Sequence, residues 1–423
     1  MKKKNENPFT RGTSRRSFLT KGTAAAGAVT MGASMLGSAV PVFADDDGGN
    51  QRLNSGDIAI LRFLQALETI EADLWRQYAE LGGPTAVTGS LGLSPIDLQD
   101  QKGNPIPTGI APLYNLALQI LDGDMGQYIA DNTDDELSHE SFLKNYLMSK
   151  GAEIVDLSPF AILPSSQVTG TPDIGRLTNL TQLTVDTTWW TRYRSSTKNP
   201  DFGDTFENAI PSLATKQHTA IPRSNADLIA DPSQPNGVGI HTQAIAFTAG
   251  FHFGFIEQGG SSLYPSLAQR VSNVEVLRVL LSIGPTETAH FQTWHDKAGN
   301  ALPITDTDTG FLGSTGATVS FPNLNLGLDP NNPNQVNSDP NVADEFQTNL
   351  IMPEPTIFLH RSLGPVSIIR PTETRNAAQG AVQSFVDDGL FIGHGFKTKK
   401  SDGFVEKLFE LAEEADEARR QLY

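Results

Sequence analysis

Two segments of this 423-residue chain repeat a pair of side chains that can bind a metal ion: Glu136 with His139, and Glu287 with His290. Each pair is a Glu-x-x-His within a stretch of helical periodicity, and a spacing of three places both side chains on one helix face. The same faces carry aliphatic and aromatic residues, so they are predicted to point into a core. Because burial of an ionised glutamate is costly without a charge partner or a metal, the two pairs predict half of a dinuclear metal site.

A third predicted helix, helix A, brings further carboxylates. It extends from about Asp57 to Leu81 and ends at Gly82-Gly83-Pro84, a strong stop signal. Glu68 and Glu71 lie three residues apart within its apolar face. Glu68 is the better ligand candidate, because Glu71 is at the edge of that face, where it can reach water instead.

The ligand from helix C, predicted from about His241 to Gln258 and ended by Gly259-Gly260, is less clear. His252 and Glu257 are five residues apart, about 140° around a helix, so they cannot both point at one centre. Charge favours Glu257, because two divalent ions carry four positive charges and the other three glutamates of the site balance only three. Glu71 is the substitute if Glu257 lies too near the helix end.

The Glu-x-x-His pairs belong to helix B, which begins at Pro112 or Asp124 and ends at Lys150, and to helix D, over about Asn273 to Ala298. Pro285 is expected to kink helix D. The predicted organisation is helices A and B in residues 55–150, a crossover in 151–240, helices C and D in 241–300, and an irregular extension with a terminal helix in 301–423. Such a long crossover is typical of a connection between parallel helices.

Within these segments, three smaller features carry predictions. Leu177–Val185 alternates in the manner of a strand or packs across the helices. Trp189–Tyr193 is a dense aromatic segment, for which packing is favoured over a role as a lid. His360 and His394 are isolated and are interpreted as structural.

Composition restricts the possible partners and ligands. The formal net charge of −17 argues against binding to nucleic acid or to anionic membrane surfaces. The chain has no cysteine, which excludes disulfides, thiolate metal sites and cysteine nucleophiles. Histidine, aspartate and glutamate therefore remain as the strong metal ligands.

The N-terminal residues have the features of an export signal. Residues 1–44 contain seven Lys or Arg and one Glu, and Arg15-Arg16 begin a twin-arginine pattern ahead of a weakly apolar run from Gly22 to Val40. Val42-Phe43-Ala44 offers small residues for cleavage. The run is too rich in Gly, Ala, Ser and Thr for a membrane span; a basic tail or an uncleaved anchor is the alternative. We expect recognition by the twin-arginine translocation machinery and a periplasmic or extracellular product.

The helical motifs resemble the ferritin-like superfamily, and more narrowly its twin-arginine-exported and desiccation-related members. The resemblance is carried by Leu67–Trp75, Asp135–His139 and Thr286–Phe291 and covers roughly residues 55–150 and 240–300. It implies a mainly α, ferritin-like four-helix bundle in which each of two helices gives one Glu and each of the other two gives a Glu-x-x-His. The ligands carried over by this pattern are Glu68, Glu136, His139, Glu287 and His290. Helix C departs from the pattern, because its one Glu falls at the predicted helix end.

Such a site would hold iron or manganese, since both bind carboxylate and imidazole well, although zinc could also be retained. As an enzyme, the protein would be a di-metal oxidoreductase acting on O2, peroxide or Fe(II). Two alternatives remain: a metal-poor structural or stress protein of the desiccation type, and a binding protein whose 151–240 segment covers a ligand. The sequence specifies neither an oligomeric state nor a substrate.

Overall fold

Four long helices form the main part of the described structure, which is a computed structural model. The structure describes residues 53–84, 98–100, 102–193, 205–307, 318–324, 353–355, 365–367, 376–395 and 403–421. The long helices are α1 (Ser55–Gly82), α3 (Met125–Ser149), α6 (Ile240–Ala268) and α7 (Val274–Ala298). The shorter helices are α2 (Pro112–Leu118), α4 (Thr188–Arg192), α5 (Pro211–Thr215), α8 (Ala377–Asp387) and α9 (Phe404–Glu417).

The long helices pack in pairs, α1 against α3 and α6 against α7, which confirms the predicted mainly α class. Two of them begin at asparagine caps. Asn54 accepts a hydrogen bond from the backbone N–H of Asp57 at 2.7 Å, and Asn273 accepts one from Glu275 at 2.8 Å. Each cap satisfies an N–H that the first helical turn leaves unpaired. Helix D therefore begins at Asn273, where the sequence predicted its start.

The structure decides between the two predicted starts of helix B and corrects the predicted end of helix C. Helix B begins at Asp124, the cap of α3, because the chain turns between α2 and α3 at Asp122-Gly123-Asp124. Helix C does not end at Gly259-Gly260: α6 continues through both glycines and Pro265 to Ala268. The prediction gave too much weight to the glycines, whereas burial on almost every side of α6 holds this helix together. Glu257 therefore lies well inside the helix.

The crossover is anchored to α1 by buried polar contacts. Asp73 accepts hydrogen bonds from the backbone N–H groups of Leu177 and Thr178, at 3.1 and 2.9 Å. Glu80 pairs with Arg176, and both side chains are about fully buried. Of the two alternatives for Leu177–Val185, the strand does not form, since the segment makes a single bridge, between Leu183 and His218. Its apolar side chains are instead buried in the core, as the packing alternative predicted.

Helix α4, which contains the aromatic segment, packs on α6 and α7. The indole of Trp189 lies against Phe251 and Phe291, with ring centroids 5.9 and 5.8 Å apart. A Cβ at Gly254 would lie 2.4 Å from this indole, so α6 can approach Trp189 only because position 254 is glycine. The position of Trp189 fits the packing role.

The described parts of the C-terminal extension contain two small antiparallel pairs and two helices. β1 (Thr305–Asp306) pairs with β2 (Val319–Ser320), placing Thr305 opposite Ser320. β3 (Pro353–Pro355) pairs with β4 (Pro365–Ser367), placing Glu354 opposite Val366. Helix α9 packs against α1 and α8.

Of the two histidines interpreted as structural, the structure describes His394 and does not describe His360. His394 is buried and its Nε2 lies 2.8 Å from the carbonyl oxygen of Leu177, as expected of a structural residue. His360 and the 1–44 export signal are outside the described residues. Within the described ranges, no helix is both long enough and apolar enough to cross a bilayer.

Candidate metal centre

Each of the four long helices places acidic or imidazole side chains in one buried cluster, which we call the carboxylate cluster. Every member is at most 9% exposed. The members are Glu68 from α1, Glu136 and His139 from α3, Glu257 from α6, and Glu287 and His290 from α7. Because apolar residues of the same helices surround it, these groups are removed from bulk water.

The carboxylate cluster divides into two overlapping groups of four side chains. The first contains Glu68, Glu136, His139 and Glu287; the second contains Glu136, Glu257, Glu287 and His290. Within each group one ligand atom from every residue lies within 4.8 Å of the others. Glu136 and Glu287 belong to both groups, whereas each group has one glutamate and one histidine of its own.

Both imidazoles direct Nδ1 at the carboxylates. Nδ1 of His139 lies 3.4 Å from Glu68 Oε2, 3.2 Å from Glu136 Oε2 and 3.2 Å from Glu287 Oε1. Nδ1 of His290 lies 3.1 Å from Glu136 Oε1 and 3.3 Å from Glu257 Oε2. The ring centroids are 6.4 Å apart. Each imidazole thus faces one side of the shared carboxylates.

Several buried atoms of the cluster make no well-aligned hydrogen bond, and their contacts are between imidazole Nδ1 atoms and carboxylate oxygens at 3.1–3.9 Å. These atoms are Oε2 of Glu68, Oε2 of Glu257, both carboxylate oxygens of Glu287, and Nδ1 of His290. Unpaired polar atoms are rare inside proteins, because each costs about 1–3 kcal/mol when no partner replaces water. All of these atoms are electron-pair donors of the kinds that bind Fe, Mn or Zn. The residues present therefore fit a bound metal.

Burial and mutual repulsion shift the pKa values of the shared carboxylates upward. Burial, reinforced by the charge of Glu287, raises the pKa of Glu136 to about 7. Burial likewise raises the pKa of Glu287 to about 8, with the charges of Glu68 and Glu257 adding to it. Burial also opposes ionisation of Glu68, but contact with His139 outweighs it and lowers the pKa of that carboxyl.

The pKa values of the imidazoles are also raised, which for histidine favours the charged form. Burial disfavours a charge on His139, but contacts with Glu136, Glu287 and Glu68 outweigh it and raise the pKa of His139 strongly. Burial is outweighed in the same way at His290, whose pKa is raised by Glu257, Asp135 and Glu136. Without a metal, both imidazoles therefore carry protons in place of a cation.

Four residues outside the cluster orient its members. Asn132 donates to Oε1 of Glu136 at 3.0 Å and to Oε1 of Glu257 at 2.9 Å. Tyr264 donates its hydroxyl hydrogen to Oε1 of Glu68. Nε2 of His290 lies 2.9 Å from Oδ2 of Asp135, which leaves Nδ1 facing the carboxylates. Trp294 donates to Oδ1 of Asn132 at 2.7 Å.

Sequence reasoning missed all four of these supporting residues. Two of them, Asn132 and Trp294, had a usable signal in the sequence. Asn132 precedes Glu136 by four residues and Trp294 follows His290 by four, so each lies on the same helix face as a ligand. Asp135 is next to Glu136 in sequence but lies half exposed at the edge of the cluster. Tyr264 lies beyond the predicted end of helix C, so the wrong helix end kept it out of consideration.

Comparison of the chain with protein-family models, with curated proteins and with solved structures returned no match. The assignment of the cluster therefore depends on its own geometry. That geometry shows buried carboxylate and histidine groups able to hold a metal, on a helical protein.

Two further residues considered from the sequence lie outside both groups. Glu71 is buried, and its carboxyl lines a neighbouring cavity. Burial, together with the charges of the cluster's glutamates, raises its pKa well above the ordinary value. His252 is fully buried, and its Nδ1 lies 2.7 Å from the hydroxyl of Tyr78. Burial lowers the pKa of His252 to about 3, so this imidazole is neutral. Glu257, not His252, is thus the helix α6 residue in the cluster.

Proposed function

We propose that the carboxylate cluster binds two iron or manganese ions and that the protein is an exported, ferritin-like metalloprotein. The observation that carries this proposal is the sharing of Glu136 and Glu287 between two ligand groups. Two groups with two carboxylates in common are the arrangement expected for a pair of ions bridged by those carboxylates. One Glu from each of two helices and a Glu-x-x-His from each of the other two is also the pattern of di-iron and di-manganese carboxylate bundles.

Charge supports two ions and not one. The four glutamates of the cluster supply four negative charges when ionised, which balance two divalent cations. A single divalent ion would leave two buried negative charges, which the protein could neutralise only by keeping protons on the imidazoles or carboxylates. Glu71, predicted from the sequence as a substitute for Glu257, is not needed for this balance.

The chain's own residues hold the donor atoms in place. Asp135 orients His290 through Nε2, and Asn132 donates to one oxygen each of Glu136 and Glu257, whose second oxygens face His139 and His290. Tyr264 likewise donates to one oxygen of Glu68, and the other faces His139. Glu68 with His139, and Glu257 with His290, would complete the two ligand groups. When bound, a pair of Fe or Mn ions would supply redox chemistry on O2, peroxide or Fe(II) in a site from which water is largely excluded.

A metal-poor structural or stress protein is the second candidate. The observation that favours it is the contact of His139 with three carboxylates at once, because two imidazolium charges can close the cluster as an ion-pair network. In this case the buried network would contribute to the specificity of the fold and the protein would have no turnover.

Metal analysis of the exported protein separates the two candidates. We expect about two equivalents of Fe or Mn per chain, retained on gel filtration, together with turnover in assays with peroxide or with Fe(II) and O2. A matched control is Glu275→Gln, which changes an exposed glutamate on the same helix as Glu287 and should leave the metal content unchanged. Protein that folds and is exported without stoichiometric metal would support the structural candidate.

The export route is a separate part of the proposal. It is supported by Arg15-Arg16, by the weakly apolar run that follows and by the small residues at Val42–Ala44. Replacement of both arginines with lysine should leave the precursor in the cytoplasm, as followed by cell fractionation. Normal export of that variant would refute the twin-arginine interpretation without affecting the metal centre.

A further inference from the structure

A cavity of about 250 Å³ lies beside the carboxylate cluster. Glu71 and Gly260 line this cavity, and both adjoin the cluster. A Cβ at Gly260 would lie 2.9 Å from Oε2 of Glu287, so the backbone of α6 touches the cavity and a proposed metal ligand at the same residue. A molecule in the cavity would therefore be next to the centre.

The walls of the cavity are largely aromatic and aliphatic. The crossover, α6 and α8 contribute one aromatic ring each, from Trp189, Phe255 and Phe385, and aliphatic side chains come from Leu67 and Leu263. Binding sites for small molecules have this composition, with a few polar groups that fix orientation. The volume is below the range of about 300–1,000 Å³ found for drug-sized ligands. Its occupant is therefore about the size of one ring with a short substituent.

Three ionisable residues line the cavity, Glu71, Asp186 and Arg192, and two of them compensate each other. Asp186 and Arg192 both line the cavity and attract each other. Thr188 links them, since its hydroxyl donates to Oδ2 of Asp186 at 3.1 Å and accepts from Nη2 of Arg192 at 3.3 Å. An anionic occupant would have to be desolvated beside Arg192, whose charge Asp186 already compensates, and this is costly. The amide of Gln383 and the hydroxyl of Ser384 are among the polar groups of the lining.

We propose that this cavity binds a small neutral organic molecule with a ring-sized apolar body and one hydrogen-bonding group. The idea that this molecule reacts at the carboxylate cluster rests on the proposed function, whereas its binding to the cavity does not. The position of Gly259 strengthens the assignment, because a Cβ there would meet no atom within 4 Å although the residue lines the cavity. A larger side chain at position 259 would thus occupy the space of the ligand and leave the fold undisturbed.

Benzamide, which is neutral and carries one ring and one amide, is a suitable probe. Its binding should be measured by ligand-observed NMR titration of the full-length protein, with and without metal. We expect saturable binding at one site per chain, and at least tenfold weaker binding of benzoate to the metal-free protein. Gly259→Leu should weaken benzamide binding at least tenfold. Gly123→Leu, which places the same side chain in open space in the turn before α3, should not.

Metal content, determined on the same samples, keeps this proposal separate from the metal proposal. Loss of metal stoichiometry with benzamide binding retained would contradict the proposed function alone. Absence of benzamide binding to the wild type, or equal binding by the Gly259→Leu variant, would overturn the cavity assignment even with two metals bound. Tighter binding of benzoate than of benzamide would overturn the assignment to neutral molecules.

Discussion

The indole Nε1 of Trp294 donates a hydrogen bond to Oδ1 of Asn132 at 2.7 Å, and this determines which way the amide points. With Oδ1 turned to the indole, Nδ2 must face Glu136 and Glu257. Two helices, α3 and α6, are thereby joined at the cluster by a single amide group. The residue that orients the ligands is itself oriented by an aromatic residue of α7.

Replacement of Asn132 with leucine, a side chain of similar volume, should weaken metal binding about 10–100-fold, as is typical when a partner of the ligands is lost. It also removes partners from two carboxylates and one indole, which should destabilise the metal-free protein by about 2–5 kcal/mol. Asn145→Leu, an exposed position of the same helix, is the control. Competition with a chelator and urea denaturation provide the two measurements. An unaltered metal affinity would contradict the orienting role.

The shared and unshared carboxylates should differ in the number of ions they control. Glu136→Gln and Glu287→Gln each alter both ligand groups, so we expect the metal content to fall from about two per chain toward zero. Glu68→Gln and Glu257→Gln each alter one group and should leave about one ion per chain. Elemental analysis after gel filtration measures these contents. Equal losses from all four variants would argue against two bridged ions.

His252 and Glu257, five residues apart on α6, should respond in opposite ways. Glu257→Gln should lower the metal content with little effect on the fold. His252→Ala should leave the metal content unchanged and destabilise the protein by about 2–4 kcal/mol, because it opens a cavity and leaves the hydroxyl of Tyr78 without its partner. Loss of metal in the His252 variant alone would reverse the assignment.

Metal binding should release protons. In the metal-free protein, contacts with carboxylates raise the pKa values of His139 and His290, so that both imidazoles are protonated near pH 7. A ligating imidazole must be neutral, so loading two ions should release about two protons or more, and affinity should increase with pH. Calorimetric titrations in buffers of different ionisation enthalpy measure the number. His139→Gln should reduce it by about one. Heats that do not depend on the buffer would contradict this prediction.

A second prediction on pH concerns His241, at the start of α6 and outside the cluster. Burial opposes its charge, but contacts with Asp227 and Asp306, at 3.2 and 2.8 Å, outweigh burial and raise its pKa to about 9. Since the folded pKa exceeds the ordinary value of 6.5, the stabilisation is complete below pH 6.5 and lost as the pH rises through 9.

The loss of unfolding free energy caused by His241→Gln should therefore shrink by roughly 1–2 kcal/mol between pH 6 and 9.5. Urea denaturation with a chelator present measures this difference. His394→Gln is the control, because burial lowers the pKa of His394, and a lowered pKa gives no stabilisation that is lost as the pH rises. A difference that stays constant with pH would show that His241 is not charged in the folded protein.

The features that could be predicted from the sequence are those that depend on the spacing of residues within one helix. Glu136 with His139, and Glu287 with His290, share a helix face wherever a helix forms, so their proximity follows from the sequence alone. The apolar surroundings then predicted that the two faces would meet in a core.

The failures come from tertiary packing. Gly259-Gly260 is a strong local stop signal, but α6 is buried on nearly all sides and continues through it. The contact between Tyr264 and Glu68 joins residues 196 positions apart, and no pattern in the sequence indicates it. Glu68 and Glu71 have similar neighbours in the sequence. Only the packed structure shows that Glu68 belongs to the carboxylate cluster and that Glu71 lines the cavity.

The order of the ligands along the chain has a consequence for folding. Glu68 is the first to be synthesised and His290 the last, and Glu287 is required by both ligand groups. A growing chain that has not yet produced α7 therefore has no complete group, and bringing residues so far apart together is slow and entropically costly. Metal binding by a complete group therefore requires that α7 has been made and packed, and an occupied centre would indicate that all four long helices have assembled.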